Sequence, residues 1–157
     1  MRLISTAFSG GDQIPIKYTK DGQNIAPPLS WEDIPDDTAE LCIVFECITP
    51  STKKPFTQWL VYGVLPQTEG FPEGLKHKRK PEEMPRAVHG KNDLGNVGYD
   101  GPLGSAGKRM YYVFRLFALK KTPGLDPGAD RNAFDAAVKD KIIDSAGLNC
   151  RHERPPA

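Results

Sequence analysis

Cys47 is the side chain of this sequence best suited to act as a nucleophile. It stands near the end of the apolar run at residues 41–48, and a cysteine at a strand end can attack an ester once a neighbouring base removes its proton. The sequence places no such base close to it, because the three histidines, His77, His89 and His152, lie elsewhere in the chain. We therefore interpret Cys47 as a small apolar residue and keep a Cys47-dependent hydrolase as a disfavoured alternative.

The other histidine, cysteine and carboxylate patterns do not indicate a metal site or a second type of catalysis. The histidines lack HxH or HxxxH spacing, and Cys42, Cys47 and Cys150 lack a CxxC pair. Glu82 and Glu83 are adjacent, whereas a glycosidase needs two carboxylates that are separated in space. We expect no catalytic residue, no metal ion and no cofactor.

Charge is balanced over the chain. The sequence has 21 basic and 20 acidic residues, a net charge of +1 that gives no general attraction to nucleic acid or to an anionic membrane. The basic run at residues 76–80 is flanked by glutamates and has no interleaved aromatic residue, which is typical of a solvated loop. No apolar run is long enough to span a bilayer, and no signal-peptide core follows the first residues. We expect a cytoplasmic protein without a nucleic-acid partner or stable membrane insertion.

Short apolar runs bounded by proline and glycine recur along the chain and predict a mainly antiparallel β fold. The predicted strands are residues 3–8, 14–18, 41–48, 59–65 and 111–119. One helix is predicted near the C-terminus: Asp130 can cap it, Phe134, Val138 and Ile142 recur at four-residue spacing, and Gly147 suits its exit. With 157 residues and no internal repeat or linker, the chain is expected to form one domain over residues 1–157.

A glycine-rich loop precedes the last predicted strand. Residues 95–107 read GNVGYDGPLGSAG, in which the glycines allow unusual backbone angles while Tyr99 and Pro102 stiffen the path. The loop does not end in GK[ST] and leads into a strand, so it is not a phosphate loop. Rigid loops of this kind commonly build binding sites.

This loop and strand resemble a signature of the phosphatidylethanolamine-binding protein family, especially its bacterial and archaeal Raf-kinase-inhibitor-like branch. The family pattern is roughly GxNxxGxxGYxGPxPPxGxHRYxFxxYAL, and the sequence matches it over residues 90–102 and 112–119. Residues 8–31, FSGGDQIPIKYTKDGQNIAPPLSW, match a second pattern, FxxGxxIPxxYTxDGxNxSPPLxW. The resemblance implies an α+β, mainly β fold: two antiparallel Greek-key sheets with long loops and a C-terminal helix.

The resemblance also implies a binding pocket whose ionisable groups are replaced. In the family an aspartate of a DPDAP stretch, two histidines and a proline-stiffened loop hold a phosphate-sized anion by charge-assisted hydrogen bonds. Here CITPS at residues 47–51 stands in place of DPDAP, Gln58 replaces one histidine, and Met110 stands at the other. The implied, degenerate ligand-binding residues are Cys47, Thr49, Gln58, Met110 and Tyr112, and the pocket loop contains Tyr99, Gly101, Pro102, Gly104 and Ser105.

The function implied is that of a non-enzymatic binding or regulatory protein with weakened or lost binding of phospholipid headgroups. Lys108 or Arg109 could still meet an anion if either side chain turned inward, although long basic side chains on loops usually reach toward water. A kinase- or protease-inhibitor module that acts through protein contacts remains an alternative. The expected partner is a protein or a small anionic ligand, and the family makes a homodimer plausible.

Overall fold

The computed structural model of the protein describes residues 1–50 and 54–155, so Ser51, the last residue of the CITPS stretch, lies outside the described residues. The described ranges contain eight strands, one α-helix and a short 3-10 helix at Ile16–Tyr18. The elements are β1 (Arg2–Ile4), β2 (Leu29–Glu32), β3 (Glu40–Cys47), β4 (Phe56–Val64), β5 (Gly70–Phe71), β6 (Val88–His89), β7 (Arg109–Leu119), α1 (Arg131–Val138) and β8 (Ile142–Glu153).

The strands form two antiparallel sheets. The smaller has the order β1-β2-β5, and the larger has the order β6-β4-β3-β7-β8. The prediction of a mainly β fold with two antiparallel sheets is therefore confirmed.

Strand β3 lies at the centre of the larger sheet, and all eight of its residues are buried. Ile43 and Phe45 belong to the main core, which also contains the buried side chains of the smaller sheet, whereas Val44 belongs to a second core with Phe134 and Val138 of α1. A strand covered on both faces favours apolar residues, which explains the apolar run of β3 at residues 41–45, and its buried Glu46 is paired with Arg115 at 2.8 Å and with Arg131 at 2.6 Å.

Helix α1 begins where it was predicted but ends earlier. The Asp130 side chain accepts a hydrogen bond from the Ala133 amide at 2.9 Å, the capping interaction expected of it. The prediction that the helix continues through Ile142 and exits at Gly147 is wrong, because residues 142–153 form β8. Strand β8 pairs with β7 over nearly its whole length and thereby supplies partners for backbone groups that would otherwise lie on an open edge.

Two other predicted strands differ in the structure. The prediction of a strand at residues 14–18 is wrong, because Ile16–Tyr18 form the 3-10 helix, in which the Tyr18 amide donates to the Pro15 carbonyl at 3.0 Å. Strand β1 ends at Ile4, because the Ala7 amide donates to the Ser5 hydroxyl at 3.1 Å and so turns the chain. Within the described residues no helix has the length and apolar character needed to cross a membrane.

Candidate functional site

A cleft of about 310 Å³ opens where the ends of β3, β4 and β7 meet the glycine-rich loop. Cys47, the last residue of β3, is in register with Phe56 of β4 on one side and Tyr112 of β7 on the other. The cleft is lined by Lys20, Cys47, Phe56, Gln58, Leu94, Gly101, Leu103, Gly104, Met110 and Tyr112. The structure thus brings four of the five expected ligand-binding residues together with two glycines of the expected pocket loop.

Thr49 and Ser105 do not line the cleft. The Thr49 hydroxyl accepts a hydrogen bond from the Tyr111 amide at 2.9 Å and lies 3.3 Å from the Cys47 sulfur. It therefore contacts the lining residue Cys47 and the backbone of β7. Ser105 is exposed, and its carbonyl accepts a hydrogen bond from the Lys108 amide at 3.1 Å. These two residues hold backbone geometry next to the site.

Tyr99 and Pro102 fix the loop to the rest of the fold. The Tyr99 ring is buried and stacks on Phe45 with ring centroids 5.6 Å apart, and its hydroxyl donates to the Tyr18 carbonyl at 2.7 Å. The Pro102 carbonyl accepts a hydrogen bond from the Lys20 amide at 3.0 Å. The loop is therefore tied to the segment at residues 18–20 at two points.

At Gly101 the backbone of the loop lies directly against the segment at residues 18–20. A Cβ atom at this position would lie 2.1 Å from the Tyr18 carbonyl oxygen, which leaves no room for a side chain. Its amide donates to the Asn24 side chain at 2.7 Å. The glycine at this position of the family pattern is therefore required on steric grounds in this chain.

Asp100 is the buried anion of the loop. Asn92 and Asn96 donate to one carboxylate oxygen at 2.6 and 3.0 Å, while Asn24 at 3.4 Å and the Lys20 amino group at 3.3 Å contact the other. Burial alone would raise the pKa of Asp100, but the hydrogen bonds from the three asparagines and the charge of Lys20 hold that pKa below its ordinary value. A fixed negative charge therefore lies beside the cleft.

Lys20 is a lining residue that the sequence did not reveal. The family pattern YTxDG leaves this position open, and the side chain becomes relevant only because Asp100 lies next to it in space. Lys108 and Arg109, the two candidate cations of the sequence, do not line the cleft: Lys108 is exposed, and Arg109 pairs with Glu153 at 3.2 Å.

Gln58 joins β4 to the loop. Its amide nitrogen donates to the carbonyl oxygens of Asp100 at 2.7 Å and of Gly101 at 3.1 Å. Both donor hydrogens of this buried side chain are therefore committed to the backbone that shapes the cleft.

Within the described part of the chain, no histidine, carboxylate or amine forms a hydrogen bond with Cys47. Among the described residues its sulfur lies 3.3 Å from the Thr49 hydroxyl, and burial, followed by the influence of Cys47, raises the pKa of the Tyr112 phenol. His152 lies opposite Met110 on β8, yet its ring accepts a hydrogen bond from Gln13 at 3.2 Å and does not line the cleft. Within residues 1–50 and 54–155 no group of three or more histidine, cysteine or acidic side chains could hold a metal ion.

Two antiparallel sheets with a cleft at the strand ends of the larger one, lined by a glycine-rich loop, define a class of two-sheet β proteins. The family model described as phosphatidylethanolamine-binding protein matches residues 4–153. The chain belongs to the phosphatidylethanolamine-binding protein family.

Several relatives span nearly the same length. A UPF0098 protein of Methanothermobacter thermautotrophicus is 35% identical over 150 residues, which is 94% of this chain and 95% of the relative. A UPF0098 protein of Aquifex aeolicus is 36% identical over 151 residues, 94% of this chain and 85% of the relative.

Solved structures agree with the fold. The crystal structure of a phosphatidylethanolamine-binding protein homolog from Chlamydia trachomatis superposes with a TM-score of 0.84 at 30% identity, covering 98% of this chain and 97% of that chain. YbcL of Escherichia coli has a TM-score of 0.88 at 21% identity, with 97% of both chains covered, and shows the shared architecture.

Proposed function

We propose that this chain is a non-enzymatic binding protein whose cleft binds phosphate-type anions weakly or not at all. The lining of the cleft carries the proposal. Where the resemblance to the family implies ionisable groups, this chain has the thiol of Cys47, the amide of Gln58 and the thioether of Met110. None of these supplies a formal charge for a charge-assisted hydrogen bond to an anion.

Lys20 does not replace the missing charges. Its amino group lies 3.3 Å from the Asp100 carboxylate, so an anionic ligand would have to compete with a buried carboxylate for the same cation. The negative charge of Asp100 also repels such a ligand, because like charges at short range in a partly buried site are only weakly screened.

The surroundings of Cys47 favour binding over hydrolysis. A thiol attacks as the thiolate, which a neighbouring base generates or a free cation stabilises. Among the described residues the hydrogen-bond partner of Cys47 is the Thr49 hydroxyl, the cation Lys20 is paired with Asp100, and burial keeps the Tyr112 phenol protonated by raising its pKa. A protonated phenol and a threonine hydroxyl are poor proton acceptors.

Isothermal titration calorimetry with inorganic phosphate and phosphoethanolamine tests the proposal. Each lost charge-assisted hydrogen bond costs about 1.5–3 kcal/mol, so the unaltered chain should show no binding below millimolar concentrations. The combined variant Cys47→Asp, Gln58→His and Met110→His should gain phosphate affinity. Ser105→His, which places a histidine on the exposed loop outside the cleft, is the control and should gain none. A micromolar constant for the unaltered chain would contradict the proposal.

A further inference from the structure

The walls of the cleft are apolar and partly open to water. They are formed by Phe56, Leu94, Leu103 and Met110, here called the cleft walls. Leu94 is 50% exposed and Leu103 is 45% exposed, which places them among the few large apolar side chains of the described residues that face solvent. Exposed apolar side chains that converge on a concave surface gain free energy when a ligand covers them. The volume of about 310 Å³ lies near the lower end of the range for small-molecule pockets.

The orientation of the Gln58 side chain follows from its partners. The carbonyl oxygens of Asp100 and Gly101 can only accept hydrogen bonds, so the amide nitrogen of Gln58 must face them and its oxygen Oε1 must point away. Within residues 1–50 and 54–155 no group donates a hydrogen bond to this oxygen. If the oxygen were also closed off from solvent, it would be a buried polar atom without a partner, and it is not one of these atoms in the described residues. The Gln58 oxygen is therefore an acceptor that is open to the cleft.

The other polar groups at the cleft disfavour a negatively charged ligand. The Lys20 amino group is paired with Asp100, which adds a repulsive negative charge for any anion. The Cys47 sulfur lies 3.3 Å from the Thr49 hydroxyl, and burial, followed by the influence of Cys47, raises the pKa of the Tyr112 phenol, which therefore stays uncharged. The oxygen of Gln58 is a neutral acceptor that a ligand can engage.

We propose that the cleft binds a small uncharged molecule whose apolar body packs against the cleft walls and whose N–H or O–H group donates to Oε1 of Gln58. This inference rests on the proposed function, because an anion seated in the cleft would exclude such a molecule.

Three probes of similar size separate the contributions of the apolar body, the N–H donor and a negative charge to binding. Benzamide carries an apolar ring and an N–H donor, methyl benzoate carries the ring without a donor, and benzoate carries the ring with a negative charge. Binding is followed through the methyl resonances of the methionines in the full chain. The chain has three, Met1, Met84 and Met110, of which Met110 lines the cleft, so the other two are internal controls.

Benzamide should shift the Met110 methyl resonance and leave Met1 and Met84 unchanged. Its dissociation constant should be about two- to tenfold lower than that of methyl benzoate, the ratio that one net hydrogen bond supplies. Benzoate should not shift Met110 at the same concentrations.

The variant Gln58→Leu should abolish the preference for benzamide over methyl benzoate, since it removes the acceptor. Gln67→Leu makes the same change at an exposed position outside the cleft and should leave the preference intact. If Gln58→Leu does not fold, the comparison of the three probes on the unaltered chain decides the question.

The possible failures are distinguishable. Equal affinities for benzamide and methyl benzoate, or an unshifted Met110 with both, would overturn this inference while leaving weak anion binding in place. Binding of benzoate in preference to benzamide, or a Met110 shift at micromolar inorganic phosphate, would overturn both the inference and the proposed function.

Discussion

The amino group of Lys20 lies 3.3 Å from the Asp100 carboxylate, so a cation that lines the cleft is bound to the buried anion of the loop. The two residues belong to segments 80 positions apart, and their ion pair joins the N-terminal segment to the glycine-rich loop. The pair therefore both shapes the cleft and occupies the charge that could otherwise hold an anionic ligand.

The two members of this pair should differ in their importance for stability. Asp100→Asn removes the charge from a network in which three asparagines donate to the carboxylate. It should lower the free energy of unfolding by about 1–3 kcal/mol. Lys20→Met leaves those donors in place and removes one partly exposed ion pair, so it should cost less than about 1 kcal/mol. Urea denaturation measures both changes, and a larger loss for Lys20→Met than for Asp100→Asn would contradict the central role assigned to the carboxylate.

The same network predicts a dependence on acid. Because the folded-state pKa of Asp100 is lowered, its contribution to stability is present above the unfolded pKa of about 3.9 and is lost as the pH falls toward the lowered folded value. Asp100→Asn should therefore lose less of its unfolding free energy than the unaltered chain when the pH is lowered through this window.

Gly98 should be the less replaceable of two loop glycines with similar backbone angles. Gly98 has φ of 102° and Gly95 has φ of 83°, so a β-branched residue at either position adds strain of about 1–3 kcal/mol. At Gly98 a Cβ atom would also lie 2.9 Å from the Cα of His77, whereas at Gly95 no atom lies within 4 Å. In thermal melts Gly98→Val should unfold at a clearly lower temperature than Gly95→Val; equal melting temperatures would show that contact with His77 adds nothing.

The apolar runs were sufficient to place β3 and β7, whereas β4 begins three residues before its predicted start and so includes the lining residues Phe56 and Gln58. Strands β3 and β7 begin and end within two residues of their predicted limits, because both are covered on both faces over much of their length and so read as largely apolar segments, in which Glu46 and Arg115 pair with each other at 2.8 Å. Once these strands pair in register, Cys47, Met110 and Tyr112 come to the same end of the sheet.

Strand β8 and Lys20 could not be found in this way, because their roles depend on distant parts of the chain. The sequence of β8, IIDSAGLNCRHE, has few apolar residues, and Ile142 falls in phase with the helical stripe of Phe134 and Val138. Pairing with β7 decides its conformation. Lys20 likewise appears as an ordinary polar residue until the fold brings Asp100 beside it.

The two histidine substitutions that would rebuild the family pocket should differ in stability. Gln58→His removes a buried side chain that donates two hydrogen bonds to the loop, and an imidazole can replace at most part of them, so a loss of about 1 kcal/mol or more is expected. Met110→His changes a partly buried side chain with no hydrogen bond to lose and should cost less. Denaturant titrations of the two single variants test the order, and a more destabilised Met110→His would indicate that the Gln58 contacts do not hold the loop.

His89 should make the protein less stable in mild acid. Its ring Nδ1–H donates to the Lys78 carbonyl at 2.7 Å, and burial, which outweighs that hydrogen bond, lowers the pKa of His89 below its ordinary value of 6.5. The unfolded chain therefore binds a proton at a higher pH than the folded chain, and the unfolding free energy should fall as the pH drops from about 6.5 toward the lowered folded value. His152, whose pKa burial also lowers, should contribute in the same direction.

Replacing His89 with asparagine separates its titration from its hydrogen bond, because the asparagine amide can still donate to the Lys78 carbonyl. The unfolding free energy of His89→Asn, measured by urea denaturation across this window, should depend less on pH than that of the unaltered chain, with the remaining slope due in part to His152. His77→Asn makes the same change at an exposed histidine nearby and should retain more of the dependence. If His89→Asn and the unaltered chain lost the same free energy between the two ends of the window, the buried ring of His89 would not be the group that resists protonation.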